Sequence, residues 1–449
     1  MTAAARRSPK MMPRSPGVTQ LGTRLGTGLA MLAALLSPAA AQADDLDALS
    51  LADQTPQTEV EQQSWQFFTE GMLGYVNRKE GQSDIHPSRI SLDLSVDYRF
   101  NAQWRGVLAN RFDLNRVDLK DGQGSQHEQI NTLKEAYLSW QIQPDWLLDA
   151  GRINQRNGMA YAYNPSDFFK AGALRSVVSI APASLRENRL GSAMLRTQYL
   201  WEGGSLSALY APRVGNGTSN DAQGADTGSF ALDFASSNPA DRWQLAWSQR
   251  WFDGFSPQLI LFKEAGSAPR LGLNASWLAS DALSLHAEYS GARSRSLAQR
   301  ARQIDGEERF YSRLSSGATY TFPVNLSLTL EYQYNQAALD KAGWQALGQQ
   351  GAAYGRYRSL ATREQDNPTR HNLFMLASWN NALMRNLDLS LMLRRDLVDH
   401  STLHWLEARY HFKRADLALQ WQSQQGSATS QYGAAAERNS LQALIKYYF

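Results

Sequence analysis

The sequence predicts an all-β chain: a transmembrane, antiparallel, up-and-down β-barrel of about 18 strands, with 16 as the alternative count, and one loop folded inward. Three observations support this. First, Leu92, Leu94, Val96, Tyr98 and Phe100 alternate with Ser91, Asp93, Ser95, Asp97 and Arg99, and residues two apart in a strand share a face. Second, short turns alternate along the chain with long polar connections, which puts all the long loops on one rim. Third, the chain closes on Leu441, Ala443, Ile445, Tyr447 and Phe449, one apolar face opposed by Gln442 and Lys446.

The 449 residues are 43% hydrophobic, with a mean hydropathy of −0.46, too polar for a bundle of membrane helices. The apolar run from Leu25 to Leu36 is too short to span as a helix. It follows Arg6, Arg7, Lys10, Arg14 and Arg24 and precedes Ala41-Gln42-Ala43, the layout of a secretory signal peptide over residues 1–43. Without that segment 40 basic residues face 42 acidic ones, a formal charge of −2, so the apparent basicity belongs to the signal and no nucleic-acid partner is expected. Residues 44–63, acidic and Gln-rich, read as a flexible leader. The barrel is assigned to 64–449. There is no Cys, which excludes disulfide and thiolate chemistry.

Taken in order, the alternation and turn signals place strands near 64–76, 89–100, 104–115, 131–142, 146–152, 188–200, 205–212, 242–252, 256–263, 270–278, 282–292, 310–322, 324–335, 370–380, 386–396, 402–412, 415–423 and 440–449. Turns at Asn101-Ala102-Gln103, Gln143-Pro144-Asp145, Ala279-Ser280-Asp281, Pro323 and Lys413-Arg414 are tight. Long connections are expected at about 116–130, 153–187, 213–241, 293–309, 336–369 and 424–439. Parity puts Phe230 to Phe234 in a loop, because a single-chain barrel begins and ends on the same side. The last strand should therefore pair with the first, near Trp65 to Val76. No long segment shows a helical period.

With the apolar faces turned to lipid, Asp93, Asp97, Arg99, Glu288, Glu331, Arg394, Glu407, Arg409, His411 and Lys446 point into the lumen. A barrel of this size leaves room for water. The segment from Gly151 to Gly191 concentrates Arg152, Arg156, Lys170, Arg175, Arg186 and Arg189 against two acidic residues, and interleaves Tyr161, Tyr163, Phe168, Phe169, Val177, Val178 and Ile180. Such a loop is too apolar to stand in water. It is expected to fold into the lumen, pack its aromatics on the wall and narrow the channel with basic groups, favouring anionic solutes. The alternative is a loop that braces the wall, with its charges paired. In 336–369, Trp344, Tyr354 and Tyr357 accompany Arg356, Arg358 and Arg363. A disordered surface loop is expected there, with closure over the pore or contact with a glycan as alternatives.

No enzymatic activity, cofactor or metal is expected. His400 and His404 on a strand lie some 13 Å apart, and the Glu of a helical H-E-x-x-H pair is missing; no Gly-x-Ser-x-Gly elbow occurs.

The signal peptide, the strand pattern and the terminal Phe449 together resemble Gram-negative outer-membrane β-barrel channels, the porin superfamily. Tyr447 and Phe449 match the C-terminal signature that the barrel-assembly machinery reads. The strand end at Gly151-Arg152 followed by Asn164-Pro165-Ser166-Asp167 is more loosely similar to the alginate-export family, whose members are 18-stranded barrels with Arg-lined pores for an acidic polysaccharide. The resemblance implies an outer-membrane location, contacts with outer-membrane lipids, and export or diffusion of a polar, anionic solute or polysaccharide. A general or sugar porin, or a plugged interaction barrel, is the alternative; monomer and trimer both stay open.

Overall fold

The computed structural model describes residues 64–79, 81–120, 124–214 and 228–449, so the expected signal peptide and leader lie outside the described residues. Among the described residues the strands are β1 (Trp65–Arg78), β2 (Ile85–Arg99), β3 (Trp104–Leu119), β4 (Ser125–Gln143), β5 (Trp146–Ile153), β6 (Ser192–Trp201), β7 (Gly204–Ala211), β8 (Arg242–Gln249) and β9 (Gln258–Glu264). They continue with β10 (Arg270–Ser280), β11 (Leu283–Ser294), β12 (Arg309–Phe322), β13 (Leu326–Asn335), β14 (His371–Trp379), β15 (Leu387–Asp396), β16 (Thr402–His411), β17 (Ala415–Gln425) and β18 (Glu437–Tyr448). Each pairs antiparallel with its neighbours in sequence, and β18 pairs with β1 from Phe68↔Tyr448 to Arg78↔Glu437. The expected 18-stranded closure is therefore what the chain forms. The closed ladder leaves the sheet without an exposed edge, the condition for crossing hydrocarbon with strands.

Period-two alternation sorts the two faces. Leu73, Ile90, Leu138, Leu259, Leu271, Leu330, Leu419 and Ile445 are exposed on the outside. Below that apolar band, at the rim of short turns, runs a dense aromatic belt: Tyr98, Phe100, Trp104, Trp146, Tyr199, Trp251, Trp277, Tyr320, Phe412, Tyr447 and Phe449 are all exposed. Trp104 and Trp140, opposite each other on β3 and β4, stack at 5.4 Å. Such a belt suits the bilayer interface, where an amphipathic ring meets both lipid and water. Phe449 extends it: its amide donates to Phe67 and its ring lies 5.0 Å from those of Phe67 and Tyr447.

Two expectations are corrected. The connection expected at 116–130 is short, because β3 runs on to Leu119 and β4 starts at Ser125, paired through Asp118↔Ser125. Beyond the bilayer a strand meets water on its outer face and needs no apolar one, so polar residues carry the hairpin outward. The second concerns helices. Short ones occur in the long connections: α1 (Pro182–Glu187), α2 (Phe234–Ser237), α3 (Leu297–Arg302), α4 (Lys341–Gly348) and α5 (Gly351–Arg363). Phe230 to Phe234 does lie in a connection, between β7 and β8. The 336–369 segment is ordered: Asp340 caps α4 through the Gly343 amide, and Trp344, Leu347, Tyr357, Leu360 and Ala361 bury against Leu297 and Val398. The spacing of Tyr357, Leu360 and Ala361 is helical, but each helix is so short that its buried face depends on partners from other connections.

Candidate functional site

The lumen is occupied by the connection between β5 and β6, residues 154–191. Its local sequence explains how it can leave the wall. Gly158 takes φ +88°, a backbone region that disfavours side chains, and turns the chain so that successive amides point at the wall. Met159 and Ala160 donate their N–H groups to the Glu288 carboxylate on β11, which also accepts from Asn164 Nδ2 and Ser166 Oγ at 3.1 Å each. The next two amides, Tyr161 and Ala162, donate to Glu331 on β13, and His286 Nε2 lies 3.1 Å from the same carboxylate. Two wall carboxylates thus hold four consecutive amides.

The aromatics then pack as alternation on the wall dictates. Phe168 stacks on Phe262 at 4.8 Å and Phe169 meets the same ring edge-on, with Ile153, Met194, Leu209, Ala246 and Ile260 completing a buried cluster. Tyr161 enters a second cluster with Phe374, Met392, Leu403 and Trp405, on β14 to β16. The loop therefore touches widely separated parts of the wall.

The basic residues fall into two groups. Arg189 is paired with Asp167 at 2.7 Å, both side chains 2% exposed. Arg152 is buried, donating to Gly191 O (2.7 Å) and Ser237 Oγ (2.8 Å) with its guanidinium over Phe234. Lys170 donates to Asn164 O, lies 3.6 Å from Asp366 and sits over the Tyr163 ring. Burial pushes its pKa down, and Asp366 and Asp167 oppose that. Arg175 donates to Ala231 O and Gly228 O, tying the loop to the β7–β8 connection. By contrast Arg156 is exposed with no hydrogen bond or ion pair to a described residue, and Arg186 is half-buried with only Gly158 O as acceptor, 3.0 Å away. Burial lowers the pKa of Arg186.

On the wall, Asp93 holds Lys134 at 2.8 Å and Arg111 at 3.6 Å. A β-bulge in β4, between its pairings with Ala109 and Asn110, brings Lys134 and Glu135 to the same side; Glu135 accepts from the Asn154 amide. Asp97 pairs with Arg105 and Arg99 is exposed, both at the short-turn end. Glu331 is a loop anchor. Arg409 pairs with Glu407 at 3.0 Å, 3.7 Å from Asp416. Arg394 lies over Phe374, and no carboxylate among the described residues is within ion-pair distance of it; its Nε is buried without an acceptor.

Alternation marked Glu288 and Glu331 as inward but not as acceptors for a loop 120 and more residues earlier. The Glu70, Arg89, Arg111 and Asp113 network on β1 to β3 carries no sequence signal beyond strand parity. Asp366 carries none at all.

The fold is similar to that of OccAB1 from Acinetobacter baumannii (TM-score 0.52, 12% identity, covering 88% of this chain and 99% of that one). It is also similar to OccK7 (OpdD) from Pseudomonas aeruginosa (0.50, 12%, 86% and 98%) and to the outer membrane protein OprD from the same species (0.48, 11%, 86% and 93%). At these identities the likeness is one of fold. No protein-family model and no curated protein matches the chain. The looser resemblance to the alginate-export barrels gains no support: the structural likeness is to the Occ proteins instead. The closed 18-stranded wall, its apolar band and its aromatic belt are those of a barrel in the outer membrane of a Gram-negative bacterium.

Proposed function

We propose that the chain is an outer-membrane diffusion channel for a small, negatively charged polar solute. The observation that carries this reading is the state of the loop and wall cations. Arg89, Arg111, Arg189, Arg196, Arg313 and Arg409 each have a carboxylate partner, and Arg152 and Arg175, which have none within ion-pair distance, each donate to two oxygens of the protein. Arg156 and Arg186 on the inward-folded loop and Arg394 on the wall, by contrast, have no carboxylate within ion-pair distance among the described residues and at most one oxygen acceptor. A guanidinium is always charged and presents a planar fork that matches a carboxylate or phosphate. Where that fork is not taken up by the protein, it is available to a passing anion. The bulk of the loop, packed on several parts of the wall, favours a small solute over a threaded polysaccharide.

The test is the reversal potential of the purified protein in a planar bilayer under a KCl gradient. Anion selectivity is expected. Arg156→Gln, Arg186→Gln and Arg394→Gln together should move the potential toward the cation side. A potential that stays put in the triple variant overturns the assignment, and faster liposome uptake of a neutral sugar than of its carboxylated counterpart of equal size overturns the solute class.

A further inference from the structure

The extracellular helices form a small body with its own core. Trp344 of α4 packs against Tyr354 and Tyr357 of α5, and Leu297 of α3 and Val398 of the β15–β16 connection close it. This cap reaches sideways: Tyr354 Oη donates to Thr429 O and Arg358 to Gln431 O, both at 3.0 Å in the β17–β18 connection, while Arg300 of α3 pairs with Glu364 at 2.7 Å.

It also reaches down. At the end of α5 the Arg363 carbonyl accepts from the Gly172 amide at 2.9 Å, and Gln365 Nε2 donates to Lys170 O at 2.5 Å. Next to them in sequence is Asp366, its side chain 8% exposed. Its carboxylate takes the Tyr163 hydroxyl at 3.2 Å and lies 3.6 Å from Lys170, both on the inward-folded loop, and 3.5 Å from Arg313 on β12. One carboxylate from the cap is therefore the common counter-ion of a loop cation and a wall cation. Without it Lys170 and Arg313 would lose the one carboxylate within ion-pair distance of both, in a site mostly closed to water, where like charges repel strongly and Asp167, Glu288 and Glu364 act only on one cation or the other.

We propose that Asp366 is a positioning residue for the constriction, coupling the inward-folded loop to the helical cap so that movement of the cap is transmitted to the passage. The proposal rests on the channel reading for its electrical readout only. The device would let an event outside the cell, at the cap, alter permeation without any contact inside the lumen.

The chain lacks Cys, so a single engineered pair is free of competing thiols. A Cβ placed on Gly348, the last residue of α4, would lie 3.1 Å from Thr429 Cβ, a few tenths of an ångström inside the span of a disulfide, so a small shift of the exposed Thr429 lets Gly348→Cys and Thr429→Cys form a reducible lock between cap and β17–β18 connection. Single-channel recordings are then compared for four proteins: Asp366 and Asp366→Asn, each with and without the oxidised lock. Asp366→Asn should change unitary conductance at least twofold and add flicker, and Asp366→Glu should restore both. The lock should quiet the channel that keeps Asp366 and leave Asp366→Asn unaffected. Wild-type conductance and noise in Asp366→Asn, or equal quieting by the lock in both backgrounds, overturns the proposal.

Folding is checked by heat-modifiable gel mobility. If Asp366→Asn fails to fold, Tyr163→Phe with Gln365→Ala removes two of the same ties, and wild-type recordings from that pair overturn the proposal equally. If the wild type does not conduct, the channel reading fails and hydrogen exchange decides the coupling: amides 163–172 exchanging tenfold faster in the variant support it, and unchanged rates overturn it.

Discussion

Gly158→Ala should release the inward-folded loop while leaving the barrel wall closed. A Cβ at this position would lie 2.6 Å from the Glu288 carboxyl carbon, and the residue has φ +88°. For alanine the backbone alone costs about 1–2 kcal/mol. The carboxylate sits at the end of a flexible side chain, so it could swing aside, but it is then lost to Met159, Ala160, Asn164 and Ser166. Two buried amides left without acceptors cost about 1–3 kcal/mol each. Even the lower end of the sum, about 3 kcal/mol, raises the local opening equilibrium roughly 150-fold. Hydrogen exchange at amides 159–162 in detergent micelles reads this opening directly, since a segment opens locally below the global unfolding free energy. Gly81→Ala is the control: φ is +85°, but no atom lies within 4 Å of the added carbon, so only the backbone cost applies, and it applies in the β1–β2 connection. Protection at 159–162 within threefold of wild type in Gly158→Ala would refute the anchoring argument. So would equal loss of that protection in Gly81→Ala.

Removing the Phe449 side chain should reduce the amount of folded protein in the outer membrane severalfold, yet change the stability of detergent-refolded protein by only about 1 kcal/mol, because the ring is 57% exposed on the lipid face; equal losses in both settings would argue against an assembly role. The cap-to-loop tie has a defined acid limit. Burial would raise the Asp366 pKa, but Arg313, Lys170 and Arg300 overcome it and hold the value below the ordinary 3.8. A depressed carboxyl contributes stability that is present above the unfolded value and lost as pH falls through the folded one. The protection factor of the Gly172 amide should therefore hold from pH 7 to 5 and drop only below 3.8, and a drop between 7 and 5 would contradict this.

The strands were readable in the chain because lipid imposes one apolar face on each, and that requirement repeats every second residue whatever the side chains' partners. The β1–β18 seam followed from parity. Where lipid stops, the rule stops: Asn115 to Leu119 and Ser125 to Gln129 continue as a hairpin on mixed polar residues. The helices of the 336–369 connection stayed hidden for a different reason. Trp344 and Tyr357 bury against Leu297 and Val398, which belong to other connections, so no single segment carries the whole pattern. The site was readable as a tendency, basic and aromatic and inward, but not as contacts. Arg189 and Asp167 are near in sequence; Lys170 finds its carboxylate at Asp366, and Met159 finds its own at Glu288. Strand parity tells which side a charge is on and says nothing about which charge will meet it.

The seam between β1 and β18 joins the first and last strands of the barrel, so it can form only once β18 is present. The loop between β5 and β6 is in the opposite position: it is made early, while Glu288, Glu331 and the Tyr161 pocket on β14 to β16 come later. Until those strands are in place the loop has no wall to pack on. Filling of the lumen therefore waits on the strands that carry Glu288, Glu331 and the Tyr161 pocket. A long-range closure of this kind is slow and leaves unpaired strand edges open to other chains in the meantime. By tying β11, β13 and β14 to β16 to the connection that follows β5, the same loop would hold distant strands together and shorten the interval during which those edges are bare.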